Sequence, residues 1–149
     1  MVVSGYYYIV SGCLAGVNCR FDGDNNYVEN VEELVNCGVA LPVCPEVLGD
    51  LPIPRERCEL QQHENGDWRV MSETAQDRTV EFLNGAKKTL AVARNIEAEA
   101  AVLKENSPSC GVRYIYDGTF SGNKIKGSGV TCRMLQEAGI KVFSEKDFD

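Results

Sequence analysis

Tyr6-Tyr7-Tyr8-Ile9-Val10-Ser11, running into Gly12-Cys13, is an unbroken stretch of aromatic and β-branched residues near the start of the chain. A strand with one wet face alternates apolar with polar residues, whereas a continuous run suits a strand buried on both faces of a parallel sheet. Val39 to Val43, Ala100 to Leu103 and Ile140 to Phe143 have the same character. Helical patterns lie between them. Asn30 predicts the N-cap of a short helix with Val31, Leu34 and Val35 on one face and Gly38 at its end. A longer helix is predicted from Thr79 to Asn95, with Val80, Leu83, Ala86, Leu90 and Ala93 on one face, and another from Val130 to Glu137. Strands alternating with amphipathic helices require right-handed crossovers and a parallel sheet. The expected fold class is therefore α/β: one three-layer Rossmann-like or flavodoxin-like domain over residues 1–149, with a mainly parallel sheet.

The remaining segments read as connections. Leu14 to Asn26 has neither period and is a long polar loop, of the length that usually carries function. Leu48 to Trp68 reads as irregular, broken by Pro52 and Pro54, with Arg55 to Leu60 charged and brief. Glu64-Asn65-Gly66-Asp67 predicts a hairpin turn before Trp68 to Met71. Gly111 to Ile125 predicts a hairpin-like excursion in which Tyr114 to Tyr116 and Thr119-Phe120 flank Asp117-Gly118.

A chain of 149 residues with 44% hydrophobic and 25% charged residues can bury a core without disulfide staples. Its net charge of −7 argues against a nucleic-acid surface and favours a small substrate over a polymer. No run approaches the roughly 20 apolar residues of a membrane span. Val2 to Val10 contains three tyrosines and lacks the basic start of a signal peptide, so a cytoplasmic location is expected. Seven cysteines, an odd number without an export signal, point to free thiols or metal ligands rather than a disulfide framework.

Cys13, Cys44 and Cys110 each fall just past the C-terminal end of a predicted parallel strand, where open α/β sheets bind ligands. A lone cysteine is commonly a small buried hydrophobe. Three at one topological position, each beside a Gly or Pro, point instead to metal or cluster ligation. Structural zinc wants four ligands with short paired spacings, and no Cys-x2-Cys pair is present. An iron-sulfur cubane held by three cysteines leaves one iron open to substrate. Cys19 could approach from the long loop, while Cys37, Cys58 and Cys132 read as spare thiols or core residues.

The chemistry around these thiols is concentrated in Lys104-Glu105-Asn106-Ser107-Pro108-Ser109-Cys110-Gly111, where Pro108 makes a stiff turn. Ser107 and Ser109 read either as turn hydroxyls or as groups for substrate positioning and proton relay, Ser107 more than Ser109. Lys104 and Arg20 are cations able to offset cluster charge. Glu46, two residues after Cys44 and fixed by Pro45, is placed to take a proton from water as general acid/base. His63, the only histidine, lies in a polar segment and supports no histidine-dependent scheme. Gly127 to Thr131 resembles an anion-binding turn but lacks the Lys-Ser/Thr of a P-loop.

Five ordered motifs together resemble the short thiouracil desulfidase family: Ser-Gly-Cys-Leu-Ala-Gly (11–16), Cys-Arg-Phe-Asp-Gly (19–23), Pro-Val-Cys-Pro-Glu (42–46), Leu-Lys-Glu-Asn-Ser-Pro-Ser-Cys-Gly (103–111) and Gly-Val-Thr (129–131). The resemblance implies a [4Fe-4S] cluster bound by only three cysteines, matching Cys13, Cys44 and Cys110. It also implies an acidic residue matching Glu46 and a serine of the Ser-Pro-Ser-Cys motif that assist water attack and proton transfer. The implied reaction turns thiolated nucleobases such as 2- or 4-thiouracil into uracil and sulfide without redox change. Two departures stand out: Ala75-Gln76-Asp77-Arg78-Thr79 replaces the family's Gly-x-Asp-Val-Thr, with a changed wall for the site expected there, and Phe21 replaces a usual Tyr. The alternatives from other classes are a non-catalytic iron-sulfur or zinc protein acting as redox sensor or cluster carrier, and a thiol-based binding module.

Overall fold

The computed structural model describes residues 7–148; the N-terminal part of the predicted first strand, at Tyr6, and of the Val2 to Val10 run lies outside them. Along the chain come β1 (Tyr8–Ser11), α1 (Glu29–Asn36), β2 (Ala40–Val43), α2 (Pro45–Leu48), β3 (Cys58–Gln62), β4 (Trp68–Ser72) and α3 (Thr79–Asn95). Then follow β5 (Ala100–Leu103), β6 (Tyr114–Tyr116), β7 (Lys124–Lys126), α4 (Val130–Glu137) and β8 (Lys141–Ser144).

The central sheet has four strands in the order β2-β1-β5-β8, and every pairing is parallel. Numbered along the chain this is the 2-1-3-4 start of flavodoxin-like sheets, with its reversal of strand order between β1 and β5. Both faces are covered. Ile9, Ala101 and Leu103 pack against α3 and α4 through Ala93, Cys132 and Leu135. Val10 and Val102 pack on the other face against Val31 of α1 and the C-terminal Phe148. The molecule is thus a three-layer α/β structure, and the continuous apolar runs are explained by burial on two sides. β3 and β4 form a separate hairpin whose Leu60 and Val70 cover Phe82 and Ala86 of α3.

Several local expectations are corrected. The first helix begins at Glu29 with Val28 as N-cap, because the Asn30 amide donates instead to the Phe148 carbonyl at 2.6 Å. On α3 the buried positions are Thr79, Phe82, Gly85, Ala86, Thr89 and Ala93, with Leu83 and Leu90 half-buried, and Val80 is 64% exposed. The helix is rotated towards Gly85 because α2 lies directly on it: a Cβ at Gly85 would collide with the Pro45 carbonyl, and one at Gly49 with the Glu81 carbonyl. The segment expected to be irregular contains β3, with Cys58 paired to Ser72. The strand paired with β6 is β7, while Thr119 and Phe120 lie in the connection, where Gly118 and Phe120 donate N–H bonds to Glu59 Oε1.

Candidate active site

The strand ends bring the predicted ligands together. Cys13 sits in a 3-10 turn, Gly12–Ala15, directly after β1, and Cys44 directly follows β2 as the N-cap of α2. Pro45 at the first helical position presets the turn, which places Glu46 in the first turn of α2. Cys110 closes a tight turn after β5, where Ser107 Oγ accepts the N–H of Ser109 at 3.1 Å and of Cys110 at 3.0 Å. That turn is seated on the N-terminus of α4. Val130 and Thr131 donate to the Pro108 and Ser109 carbonyls at 2.9 and 2.8 Å, and a Cβ on Gly129 would strike the Ser109 carbonyl. The Gly127 to Thr131 segment therefore spends these N–H groups on the Cys110 turn rather than presenting them to an anion.

Cys13, Cys44, Cys110, Glu46, Ser107, Lys104 and Arg20 all line one cavity of about 290 Å³. Ser109 does not: it is buried, and its hydroxyl meets Thr131 Oγ1 at 2.8 Å. Glu105 is an anchor, 2% exposed, with Oε1 accepting the N–H groups of Val112, Arg113 and Tyr114 at 2.7, 2.8 and 3.0 Å. The replaced segment Ala75 to Thr79 contributes nothing to the cavity wall, whereas Phe21 does.

Both predicted cations are paired. Lys104 Nζ binds Glu145 Oε2 at 2.9 Å, and Arg20 binds Asp22 at 2.7 Å and the Asn26 side chain at 3.2 Å. Two further cations line the cavity unpredicted. Arg55, with a side chain 5% exposed, reaches Glu46 Oε1 at 3.3 Å. Arg57 has no ion pair or side-chain hydrogen bond among the described residues and lies 5.8 Å from the Phe21 ring and 5.7 Å from that of Tyr116. Cys19 and Cys58 also line the wall. For Arg55 the only signal in the sequence is a cation following Pro52 and Pro54, and its burial depends on contacts far along the chain.

Electrostatics separate the thiols. Burial pushes Cys110 and Cys13 above the ordinary thiol value, Ser11 and Asn26 respectively opposing it by hydrogen bonding. Cys44 is the acidic member of its pair with Cys19, because the Cys19 thiol hydrogen-bonds it and the Val47 N–H at the start of α2 points at it. Its sulfur lies 3.7 Å from the Cys19 carbonyl oxygen. Glu46 is raised by burial, against the pull of Arg55.

Among the described residues, no three His, Cys, Asp or Glu side chains are grouped so as to hold a single metal ion. Tetrahedral thiolates about 2.3 Å from one ion would sit roughly 3.8 Å apart. A cubane spreads its thiolates over separate irons and asks for wider spacing. Three cysteines around a cavity of about 290 Å³ are a donor set that fits such a group.

Residues 8–147 match the family model described as 2-thiouracil desulfurase. The chain belongs to that family. Among its relatives is the uncharacterized protein YbbK of Bacillus subtilis (strain 168), 44% identical over 146 residues that cover 95% of this chain and 97% of YbbK. Among solved structures, the [4Fe-4S]-dependent thiouracil desulfidase TudS superposes with a TM-score of 0.86 at 40% identity, covering 95% of this chain and 92% of TudS. Within the desulfurase family chain described here, the match spans all three strand-end cysteines, Glu46 and Ser107.

Proposed function

We propose that this protein is a [4Fe-4S]-dependent desulfidase, a single-domain cytoplasmic enzyme that hydrolyses the C=S group of thiolated nucleobases such as 2- or 4-thiouracil to C=O, releasing sulfide without net redox change. The observation that carries it is the meeting of Cys13, Cys44 and Cys110 with Glu46 around one cavity, in a chain 40% identical to TudS. Cys13, Cys44 and Cys110 would hold the cluster. When bound, such a cluster supplies a Lewis-acidic iron with a position open to sulfur.

The chain's own residues supply the rest. Glu46 has Oε1 occupied by Arg55, and its raised proton affinity suits it to accept a proton from water and return it to the departing sulfur. Ser107 uses its oxygen to accept two backbone N–H groups, which leaves its own proton for the cavity. It orients the carbonyl side of the base as oxygen replaces sulfur. Lys104, already neutralising Glu145, sets the charge beside Cys13. Phe21 and Tyr116 add aromatic surface to the cavity wall that a planar ring can contact.

The test is anaerobic. Purified or reconstituted protein is expected to contain four irons and four acid-labile sulfides per chain and to release equimolar uracil and sulfide from 4-thiouracil. A protein without iron after reconstitution, or one with a full cluster and no turnover on either thiouracil, rules the proposal out; the second result would favour a sensor or carrier.

A further inference from the structure

Arg55 is a cavity-lining cation held by several partners at once. Its Nη2 donates to the Cys19 carbonyl at 2.8 Å, its Nη1 to the Pro52 carbonyl at 3.2 Å, and its own backbone N–H to the Phe21 carbonyl at 2.8 Å. All three partners are backbone oxygens, so the guanidinium plane is set independently of Glu46. Nε then remains to meet Glu46 Oε1 at 3.3 Å. A guanidinium is planar and stays protonated, so it acts here as a rigid fork between the loop carrying Cys19 and the first turn of α2. A free glutamate explores several rotamers about its side-chain torsions. Here Oε1 is fixed, while Oε2 has no protein partner among the described residues and the residue lines the cavity.

We infer that Arg55 is a positioning residue for desulfidation: anchored on the Cys19 and Pro52 carbonyls, it pins Glu46 by Oε1 so that Oε2 is presented to the attacking water. The inference rests on the assignment of Glu46 as proton acceptor made above. A side chain that only braced the fold would act on stability and cluster loading. A side chain that positions Glu46 acts on turnover, and only while Glu46 is a carboxylate.

The experiment uses anaerobically reconstituted protein with 4-thiouracil as substrate and reads iron and sulfide content, kcat and KM for Arg55→Ala, Arg55→Lys, Glu46→Gln and the Arg55→Ala/Glu46→Gln double variant. Arg55→Ala is expected to keep its iron and lower kcat about 10- to 100-fold, with KM changed less than about threefold. Added guanidinium ion at millimolar concentration should recover part of that loss in Arg55→Ala and nothing in the wild type. In the Glu46→Gln background Arg55→Ala should cost less than about twofold, since the two groups act as a unit. If Arg55→Ala does not take up iron, Arg55→Lys decides: it keeps the charge but not the fork, and the same fall in kcat is expected. A kcat within about twofold of wild type in the iron-loaded variants, or an equal loss with Glu46 already removed, overturns the inference. Full turnover in Glu46→Gln removes the assignment of Glu46, and this inference with it, while leaving the desulfidase reading standing.

Discussion

Cys44 is the residue at which the site is joined. It follows β2 directly, is the N-cap of α2 and lies against Cys19, so one residue connects the sheet, the acid/base element and the long loop. Replacing Cys13, Cys44 or Cys110 by Ser is expected to bring reconstituted iron down to background, whereas Cys37→Ser, at an exposed helix end, should load as the wild type does. Iron and sulfide assays make the comparison. Glu46→Gln should keep a full cluster and lose about 100-fold or more in kcat, the usual scale of a missing acid/base group. At this scale the cysteines and Glu46 were visible in the sequence, because their position relative to a strand end is a local property. Ser109 was read towards the site but is turned onto Thr131, and Arg55 went unread; both outcomes depend on partners that lie distant in sequence.

At the scale of elements, the contact between α2 and α3 decides where Glu46 sits. Gly49 and Gly85 let the two helices touch backbone to backbone. A methyl group at either position must push the helices apart. Gly85→Ala is therefore expected to destabilise the fold by roughly 3 kcal/mol, at the upper end of overpacking costs, and to lower kcat through displacement of Glu46. The exposed Lys87→Ala on the same helix should stay within about 0.5 kcal/mol of wild type. Urea unfolding midpoints distinguish the two. Sequence periodicity located α3 correctly but put Val80 on its buried face, since the rotation of the helix is set by the glycine contact rather than by its apolar residues.

For the whole molecule, the C-terminal turn ties the last strand to the loop beyond Cys110. Asp147 accepts the Ser144 N–H at 2.9 Å and binds Arg113 Nη2 through both oxygens at 3.0 Å. The Ser144 N–H and then Arg113 hold its carboxyl below the usual carboxylate value. A depressed folded-state pKa means the stabilisation is fully present above the unfolded value, near about 3.9, and is lost as pH falls through the folded value. Asp147→Asn should accordingly lower the thermal midpoint slightly at pH 7, by less than the equivalent of about 1 kcal/mol for so exposed a pair. The difference from wild type should close as the pH falls through the depressed folded-state value.

The sequence by itself determined the α/β class, the parallel sheet and the strand-end positions of the three cysteines, because continuous apolar runs and the residues that terminate them are local consequences of burial on two faces. Only the tertiary structure decided the flavodoxin-like strand order, the strand β3 that completes the hairpin whose turn was legible at Glu64 to Asp67, the pairing of Lys104 with Glu145 and the fork that Arg55 places under Glu46. The long connection from Leu48 to Trp68 carries no period that reveals a fold. Its conformation is set by what it covers: Phe82 and Ala86 under Leu60, and a half-buried carboxylate that the guanidinium of Arg55 holds in place.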